Sequence, residues 1–243
     1  MTAPIPRDIP DLPAIPRPPG LLPSPVPASA VLPPVRRPSA AALRLFTALL
    51  ALTGAALELT LGGPALRALS QIAVQSSVLL ALVMLASARR AWSAGRPLSG
   101  ALTGAALLYS VVAGLVHHLL LADAASPSAP SGHSVAFHLM CTAAPAAAVL
   151  DWLLLTGPGR LHLRQTAAWL LYPLAYLGFS LARGELLLPG AEGRYLYPFL
   201  DVDRHGYKGV LGNALLLGLA LYALAVLLVA LDHIRPDPLR RRW

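Results

Sequence analysis

Six long apolar stretches occupy most of this chain and decide the solvent in which it can fold. They lie at about residues 40–61, 69–88, 99–122, 134–155, 166–182 and 209–231. A helix needs about 20 mostly apolar residues to cross the hydrocarbon of a bilayer. The stretches are continuous and rich in leucine and alanine, whereas the strands of a membrane barrel alternate in polarity. The sequence therefore predicts an all-α, polytopic membrane protein, with a six-transmembrane-helix bundle over residues 40–233.

The composition agrees with a bilayer as the solvent. Only 12% of the residues are charged, which is far below the ~25% of soluble domains. A single cysteine, Cys141, leaves no partner for an internal disulfide. The net charge of +8 lacks the interleaved aromatic and basic residues of a nucleic-acid surface, and lipid headgroups attract such charge. We therefore expect membrane lipid as a partner, no nucleic acid and no cofactor, while protein partners stay open.

Lysine and arginine are unevenly divided between the two sides that six crossings would create. The side that holds both termini carries 14 of them, and the opposite side carries 5. Positively charged loops stay in the cytoplasm. The count predicts a multi-pass protein of the cell membrane with both termini cytoplasmic.

Two segments lie outside the predicted bundle. Residues 1–39 contain 13 of the 24 prolines, which remove backbone donors and block helix formation. We expect a disordered cytoplasmic tail there, with a ligand for a proline-binding domain as the alternative. Residues 234–243 form a basic cytoplasmic tail, in which the arginines at 240–242 and Trp243 are expected to contact headgroups.

The longest loop, about residues 184–208, is rich in aromatic residues. Tyr195, Tyr197, Phe199 and Tyr207 lie within it. Tyrosine is common at the level of the lipid headgroups. These side chains are therefore interpreted either as interfacial anchors or as a lid over a site in the outer leaflet.

Polar side chains inside the predicted helices gather in the outer half of the bundle. Convergent polar groups there indicate a site, and hydrogen bonds between helices are the alternative role. The residues that we expect to line an outer-leaflet pocket are Gln75, Ser77, Cys141, Tyr176, Arg183 and Asn213. Asp151, near the cytoplasmic end, is the exception, and we expect it to cap the interface or to pair with Arg160 or Arg164.

Some of these polar residues have the chemistry of a hydrolase. A serine hydroxyl attacks an ester when a neighbouring base takes its proton. Ser76 or Ser77 is thus a candidate nucleophile, and His138 or His118 is a candidate base. The two histidines with Cys141 are an alternative metal set, but they lack the close spacing of the usual ligand motifs, and no metal site is predicted.

A set of motifs in the second half of the chain resembles a known family. The segments are PAAAVLDWLLL (145–155), WLLYPLAY (169–176), SLARGE (180–185), YPFLDV (197–202) and GYKGVLGN (206–213). Their order and spacing resemble the actinobacterial six-helix membrane proteins of the Pr-six-Pr family, which is similar to the eukaryotic androgen-induced-gene-one proteins. The resemblance covers about residues 43–232. It implies a six-helix fold and a threonine hydrolase that cleaves fatty-acid esters of hydroxy fatty acids.

The resemblance also implies two catalytic positions. A threonine early in the second helix falls on Ala73, and a histidine four residues before the proline of the fourth helix falls on Cys141. Alanine has no nucleophile, and cysteine is a poor general base near neutral pH. Ser76 and His138 lie about one helical turn from these two positions. Ser76 is deeper in the membrane than Ala73, and His138 is shallower than Cys141, so ideal helix geometry separates the hydroxyl from the imidazole.

Three hypotheses follow from these patterns. The first, which the missing catalytic pair favours, is a catalytically inert member of this hydrolase-like family that keeps a lipid-binding cavity in the outer leaflet. The second is a membrane hydrolase of fatty-acid esters with a serine nucleophile and a histidine base. The third is a small-solute transporter, against which the sequence has neither an inverted repeat nor a matching pair of broken helices. Tyr172–Pro173 is one possible break, and it has no counterpart.

Overall fold

The fold is that of a computed structural model, which describes residues 35–61, 64–121, 132–188, 191 and 194–236. Most of the predicted proline-rich tail, and residues 237–243 of the basic tail, lie outside the described residues. The expected disorder and headgroup contacts of these tails therefore stay predictions. Residues 38 and 39, which the sequence assigns to the tail, already belong to the first helix.

The described part of the chain is helical and contains no strand, which confirms the all-α prediction. Its helices are α1 (Pro38–Leu61), α2 (Ala65–Leu69), α3 (Ile72–Trp92), α4 (Gly100–Leu121), α5 (Gly132–Leu155), α6 (Leu163–Trp169), α7 (Leu171–Leu186) and α8 (Val202–Ile234), with a 3-10 turn at Pro198–Leu200. Of these, α1, α3, α4, α5 and α8 are long and apolar enough to cross a membrane. Five of the six predicted crossings are therefore single helices.

The remaining predicted crossing, residues 166–182, is divided into two helices. α6 ends at Trp169 and α7 begins at Leu171. Pro173 explains the break, because it lacks the N–H that would bond the Trp169 carbonyl and its ring crowds that carbonyl. The stretch is therefore not one continuous helix, and the possible break near Tyr172–Pro173 is present, at Leu170.

α8 contains a break of its own, at Gly206. The φ of 64° and ψ of 167° at this residue are non-helical, and glycine adopts a positive φ without steric cost. Before the break, the Asp201 carboxylate caps the helix by accepting hydrogen bonds from the N–H groups of Asp203 (2.9 Å) and Arg204 (3.3 Å). The regular apolar part of α8 consequently begins close to residue 209, where the sequence predicts the crossing to start.

The core between α1, α3, α4 and α5 is built mainly from small side chains. Its buried members are Ala48, Ala51, Leu80, Ala81, Val83, Met84, Ala106, Leu107, Ala144 and Ala148. Small residues let helix backbones approach closely, so that dispersion between them stabilises a bundle in lipid. A second cluster joins α4 to α6 and α8. It comprises Leu108, Tyr109, Leu161, Trp169, Leu221, Ala225 and Val229.

Two helices widen into π-helical turns near the point where they pack together. α4 ends in the π-helix His117–Leu121, and α5 contains the π-helix Leu139–Ala143. The second π turn precedes Pro145, which has no N–H to offer the Cys141 carbonyl. Gly114 of α4 packs against this carbonyl so closely that a Cβ would collide with its oxygen. Single π turns of this kind are frequent at functional sites.

Candidate functional site

A cavity of about 640 Å³ lies between α4, α7 and α8 and reaches the loop before α8. Its volume is within the range of pockets that hold small molecules. Apolar side chains and aromatic rings form its walls, among them Val112, Leu170, Pro173, Leu177, Leu217 and Leu221. Leu174, Leu215 and Leu219 also line it, and each is more than half exposed. The cavity therefore opens on the apolar outer surface of the bundle.

Two tyrosines of α7 place their rings against the cavity while their hydroxyls bond to α3 and the turn before it. The Tyr172 hydroxyl donates to the side-chain oxygen of Gln75 over 3.0 Å. The Tyr176 hydroxyl donates to the carbonyl oxygen of Ser70 over 2.9 Å. Neither hydroxyl is left to be satisfied by a ligand, so the cavity meets the apolar faces of these rings.

Two further tyrosines repeat this arrangement on other walls. The Tyr109 hydroxyl donates to the Trp169 carbonyl over 2.8 Å. The Tyr197 hydroxyl accepts a hydrogen bond from the N–H of Ile72, in the first turn of α3, over 3.2 Å. Burial raises the pKa of Tyr197 well above its usual value, so this side chain stays neutral at physiological pH.

Arg194 holds the loop between α7 and α8, which covers one end of the cavity, in place. Its Nε donates to the Gly184 carbonyl over 2.7 Å, and its Nη1 donates to both carboxylate oxygens of Asp203 over 2.7 and 2.9 Å. The carbonyl of Arg194 in turn accepts a hydrogen bond from Arg183 over 3.0 Å. The loop is thus bonded to the end of α7 and to the start of α8.

The aromatic residues of this loop take different positions. Tyr197 and Phe199 line the cavity, and the Phe199 carbonyl accepts a hydrogen bond from the side chain of Asn213 over 3.0 Å. The Tyr195 ring packs against Gly184, whereas Tyr207 is 52% exposed. The first two therefore cover one end of the cavity, while Tyr207 lies on the exposed surface.

One of the six residues expected to line a pocket, Tyr176, lines this cavity. The other five, Gln75, Ser77, Cys141, Arg183 and Asn213, lie outside its lining. Gln75 supports the Tyr172 wall from behind, while Arg183 and Asn213 hold the covering loop. Ser77 and Cys141 are buried by helix packing elsewhere. Most of the expected residues therefore surround the cavity wall rather than form it.

The predicted nucleophile and bases make other contacts than the ones expected. Ser76 is 1% exposed, and its hydroxyl donates to the Ala73 carbonyl within α3 over 3.1 Å. His118 Nε2 lies 2.8 Å from Thr142 Oγ1, while His138 is exposed. Among the hydrogen bonds of the described residues, none joins Ser76 to either histidine.

Thr142 is a hydroxyl that sequence reasoning misses. Thr142 and His118 lie on the two π turns of α5 and α4, and both side chains are exposed on the outside of the bundle. A hydroxyl 2.8 Å from an imidazole nitrogen is within the reach of general-base catalysis. The widened turns that bring them together have no signature in the sequence except Pro145, which follows Thr142 by three residues.

A buried carboxylate, Glu58 of α1, lies at the end of the bundle that also holds the loop between α7 and α8. Glu58 is fully buried, and its Oε1 accepts a hydrogen bond from Gln71 over 3.1 Å. Its Oε2 lies 2.8 Å from Nδ1 of His133. The rings of His133, Phe137 and His117 follow one another with centroids 4.9 and 5.0 Å apart. Ionisable groups at membrane depth need such partners, which the sequence does not reveal.

The two positions that the family resemblance implies to be catalytic lie in one buried cluster. The members of this cluster are Ala55, Ala73, Val74, Ala136, Met140 and Cys141. Cys141 is 3% exposed and is a free cysteine. The chain therefore has an alanine and a buried thiol in this place, with neither a hydroxyl nucleophile nor an imidazole at these two positions.

At the opposite end of the bundle, Asp151 pairs with Arg44 of α1. The Arg44 Nε lies 2.9 Å from Oδ1 of Asp151, and the Thr156 hydroxyl donates to Oδ2 over 3.3 Å. The expectation that Arg160 or Arg164 would be the partner is wrong. The reason is that the start of α1 packs beside the end of α5, which brings Arg44 to the carboxylate first.

Asp232, near the end of α8, is a second carboxylate whose role the sequence does not reveal. It is fully buried and accepts hydrogen bonds from the N–H groups of Arg160 (2.7 Å) and Leu161 (2.9 Å). The Arg235 guanidinium lies 2.8 Å from it, above the Trp152 ring. The sequence signal that could have identified this ion pair is an acidic residue at the end of an apolar run with an arginine three residues later.

A metal centre finds no support among the residues that the structure describes, because no group of three histidine, cysteine, aspartate or glutamate side chains there could hold an ion. Of the alternative metal set, Cys141 is buried whereas His118 and His138 lie on the exposed surface. The comparisons with protein-family models, with curated proteins and with solved structures find no match to this chain.

Proposed function

We propose that this chain is an integral membrane protein that holds the apolar chain of a lipid in the cavity between α4, α7 and α8 without cleaving it. The observation that carries the proposal is a cavity of about 640 Å³ whose four inner tyrosine hydroxyls are already bonded to the protein. Burying a polar group without a partner is costly. A hydrocarbon chain has no polar group to satisfy and therefore suits such walls.

Kinship with the Pr-six-Pr family, as an inert member, belongs to this proposal. It is supported by the order of the sequence motifs and by the common cluster of Ala73 and Cys141. Ala73 directly follows Ile72, which lines the cavity. With an alanine in place of the nucleophile and a buried thiol in place of the base, these two positions would not attack a lipid chain held in the cavity.

Two glycines of α8 provide a matched test of the cavity. Gly218 lines it, and a side chain built on Gly218 meets no atom within 4 Å. Gly212 has equally open space around it but lies outside the lining and is exposed. Gly218→Phe should therefore place a ring in the cavity and obstruct it. Gly212→Phe makes the same change on the same helix and should leave the cavity open.

The measurement is photo-crosslinking of the purified full chain with a diazirine-bearing fatty acid, followed by peptide mapping. We expect labels on the peptides of α7 and α8, reduced in Gly218→Phe and unchanged in Gly212→Phe. Equal labelling of both variants, or labels only on other helices, would refute the cavity as the lipid site.

The proposal places the protein in the cell membrane with both termini in the cytoplasm. It is supported by the concentration of arginine at the end that holds the start of α1 and the end of α8. Ser93→Cys and His205→Cys, each made with Cys141→Ala, put a single exposed thiol at either end. In intact cells a membrane-impermeant maleimide should label the thiol at 205 and spare the thiol at 93. The reverse pattern would invert the orientation.

One observation favours a second candidate function, which is lipid-ester hydrolysis. Thr142 Oγ1 and His118 Nε2 lie 2.8 Å apart on the exposed side of the bundle. In this reaction Thr142 would attack the ester carbonyl carbon while His118 takes the hydroxyl proton. The alcohol would leave with that proton, and water would then release the acid from the acyl-threonine.

A lipid-directed fluorophosphonate probe distinguishes this enzyme from the inert protein. Labelling of membranes that is lost in Thr142→Val and retained in Ser76→Ala would identify Thr142 as the nucleophile. Labelling that is lost in Ser76→Ala instead would restore the nucleophile predicted from the sequence. No labelling of correctly inserted protein supports the inert lipid-binding function.

A further inference from the structure

The two ends of the described bundle carry very different charge. The end that holds the start of α1 and the end of α8 has nine arginines and two acidic residues, Asp151 and Asp232. The opposite end has five basic and four acidic residues among those described. Nearly all of the excess positive charge of the described residues is therefore concentrated at one end.

The arginine-rich end is assembled from separate parts of the chain. The N–H of Arg37 donates to the Ala91 carbonyl over 3.0 Å, which joins the start of α1 to the end of α3. Arg160, between α5 and α6, donates to the Leu98 carbonyl between α3 and α4. These contacts bring arginines that are distant in the sequence onto one surface.

Both carboxylates at this end are already neutralised. Asp151 lies 2.9 Å from Arg44, and Asp232 lies 2.8 Å from Arg235. Burial, together with the like charges of Arg44, Arg235 and Arg37, lowers the pKa of Arg160, against the opposing effect of Asp232. The field at this end is therefore positive even after the two aspartates are counted.

Four exposed arginines at this end form a surface that we call the arginine face: Arg36, Arg37, Arg89 and Arg90. Among the described residues, no carboxylate lies within ion-pair distance of any of the four. Trp92, two residues after Arg90, is 59% exposed. Exposed tryptophan next to arginine marks the depth at which lipid headgroups lie.

We propose that the arginine face binds the phosphate of an anionic phospholipid headgroup. Guanidinium groups match phosphate oxygens with paired N–H donors. Phe46 and Leu45, exposed on α1 two turns along from Arg37, offer apolar surface to the acyl chains of the same lipid. This adjoining apolar surface favours a lipid over a soluble phosphate or a nucleic acid. The site is separate from the cavity near α7 and does not depend on it.

The test uses the full chain in nanodiscs of phosphatidylcholine with about one-fifth phosphatidylglycerol. Lipids that stay bound after extraction into mild detergent are counted by native mass spectrometry. One variant carries Arg37→Gln, Arg89→Gln and Arg90→Gln. The matched control carries Arg67→Gln, Arg204→Gln and Lys208→Gln, which removes the same charge from the opposite end.

We expect the wild-type chain and the control to retain phosphatidylglycerol in preference to phosphatidylcholine, and the arginine-face variant to lose about tenfold of that preference. Glycerol phosphate added in solution should not displace the lipid. Equal loss in both variants, or no preference in the wild type, would overturn the proposal. Displacement by glycerol phosphate would reassign the face to free anions and would overturn it as well.

Two controls separate this result from other failures. Circular dichroism of each variant shows that its helices are intact before lipids are counted. Gly218→Phe, which obstructs the cavity, should retain phosphatidylglycerol as the wild type does, because the two sites are independent. Loss of phosphatidylglycerol in Gly218→Phe would show that the bound lipid occupies the cavity instead, and would contradict the arginine face.

Discussion

The Tyr109 hydroxyl on α4 donates a 2.8 Å hydrogen bond to the Trp169 carbonyl, which Pro173 leaves without its helical donor. In lipid no water is present to satisfy such a carbonyl, so a neighbouring helix must do so. The Trp169 indole donates in the opposite direction, to the Ala101 carbonyl of α4 over 3.0 Å. The break between α6 and α7 is thus stabilised by α4, and the same contact shapes one wall of the cavity.

Tyr109→Phe should destabilise the protein by about 1–3 kcal/mol, because it leaves the Trp169 carbonyl buried without a donor. The change is measured as the shift in thermal unfolding in detergent micelles, followed by circular dichroism. Tyr222→Phe is the control, since Tyr222 also lines the cavity but is 42% exposed. A Tyr109→Phe protein as stable as Tyr222→Phe would contradict the role given to this hydrogen bond.

Gly114 permits the closest contact between α4 and α5, and its replacement should be costly. In Gly114→Ala the new methyl group meets the carbonyl oxygen of Cys141, so the helices must separate. Overpacking of this kind costs about 1–3 kcal/mol. Gly178→Ala on α7, where a side chain meets nothing within 4 Å, should be neutral or stabilising by up to about 1 kcal/mol. The same unfolding assay compares them, and a neutral Gly114→Ala would contradict the packing.

The crossings that are single helices could be predicted because the length of an apolar run alone decides them. The break near Pro173 could be predicted only as a possibility, since proline is tolerated within membrane helices and leaves the run apolar. The partners of polar side chains were also beyond the sequence. Helices that are apolar on every side do not reveal which face is inward. The sequence therefore indicates Arg160 or Arg164 as partners of Asp151, where the structure has Arg44, and it does not connect Thr142 with His118.

The cavity was only partly predictable for the same reason. The sequence predicts that Tyr176 lines a pocket, and it does, but the pocket is formed by α4, α7 and α8 and not by the polar residues of α3 and α5. Those polar residues hydrogen-bond to helix backbones or to neighbouring helices, as Ser76 and Gln75 do. The polar residues of the sequence thus identify side chains that hold the cavity wall in place. The apolar residues that line the cavity cannot be distinguished in the sequence from other apolar residues of the helices.

Tyr197 predicts a loss of stability in alkaline solution. Burial raises its pKa in the folded protein, so folding favours the neutral phenol. Its contribution is complete below the unfolded pKa of about 10 and is lost as the pH rises above that value. Denaturant unfolding in micelles should therefore show stability that falls above about pH 10, and Tyr197→Phe should fall less steeply. Identical slopes in the two proteins would refute this assignment.

Loss of Asp232, at the arginine-rich end, should cost far more stability than loss of Asp203 at the opposite end. Asp232→Asn removes the charge that compensates the buried Arg235 and weakens the cap on the N–H groups of Arg160 and Leu161. Breaking a buried pair on one side costs about 3–5 kcal/mol. Asp203→Asn removes a partly exposed partner of Arg194 and should cost only about 0–1 kcal/mol. Chemical denaturation of both variants in the same detergent tests the difference, and similar losses would show that Asp232 acts as an ordinary surface charge.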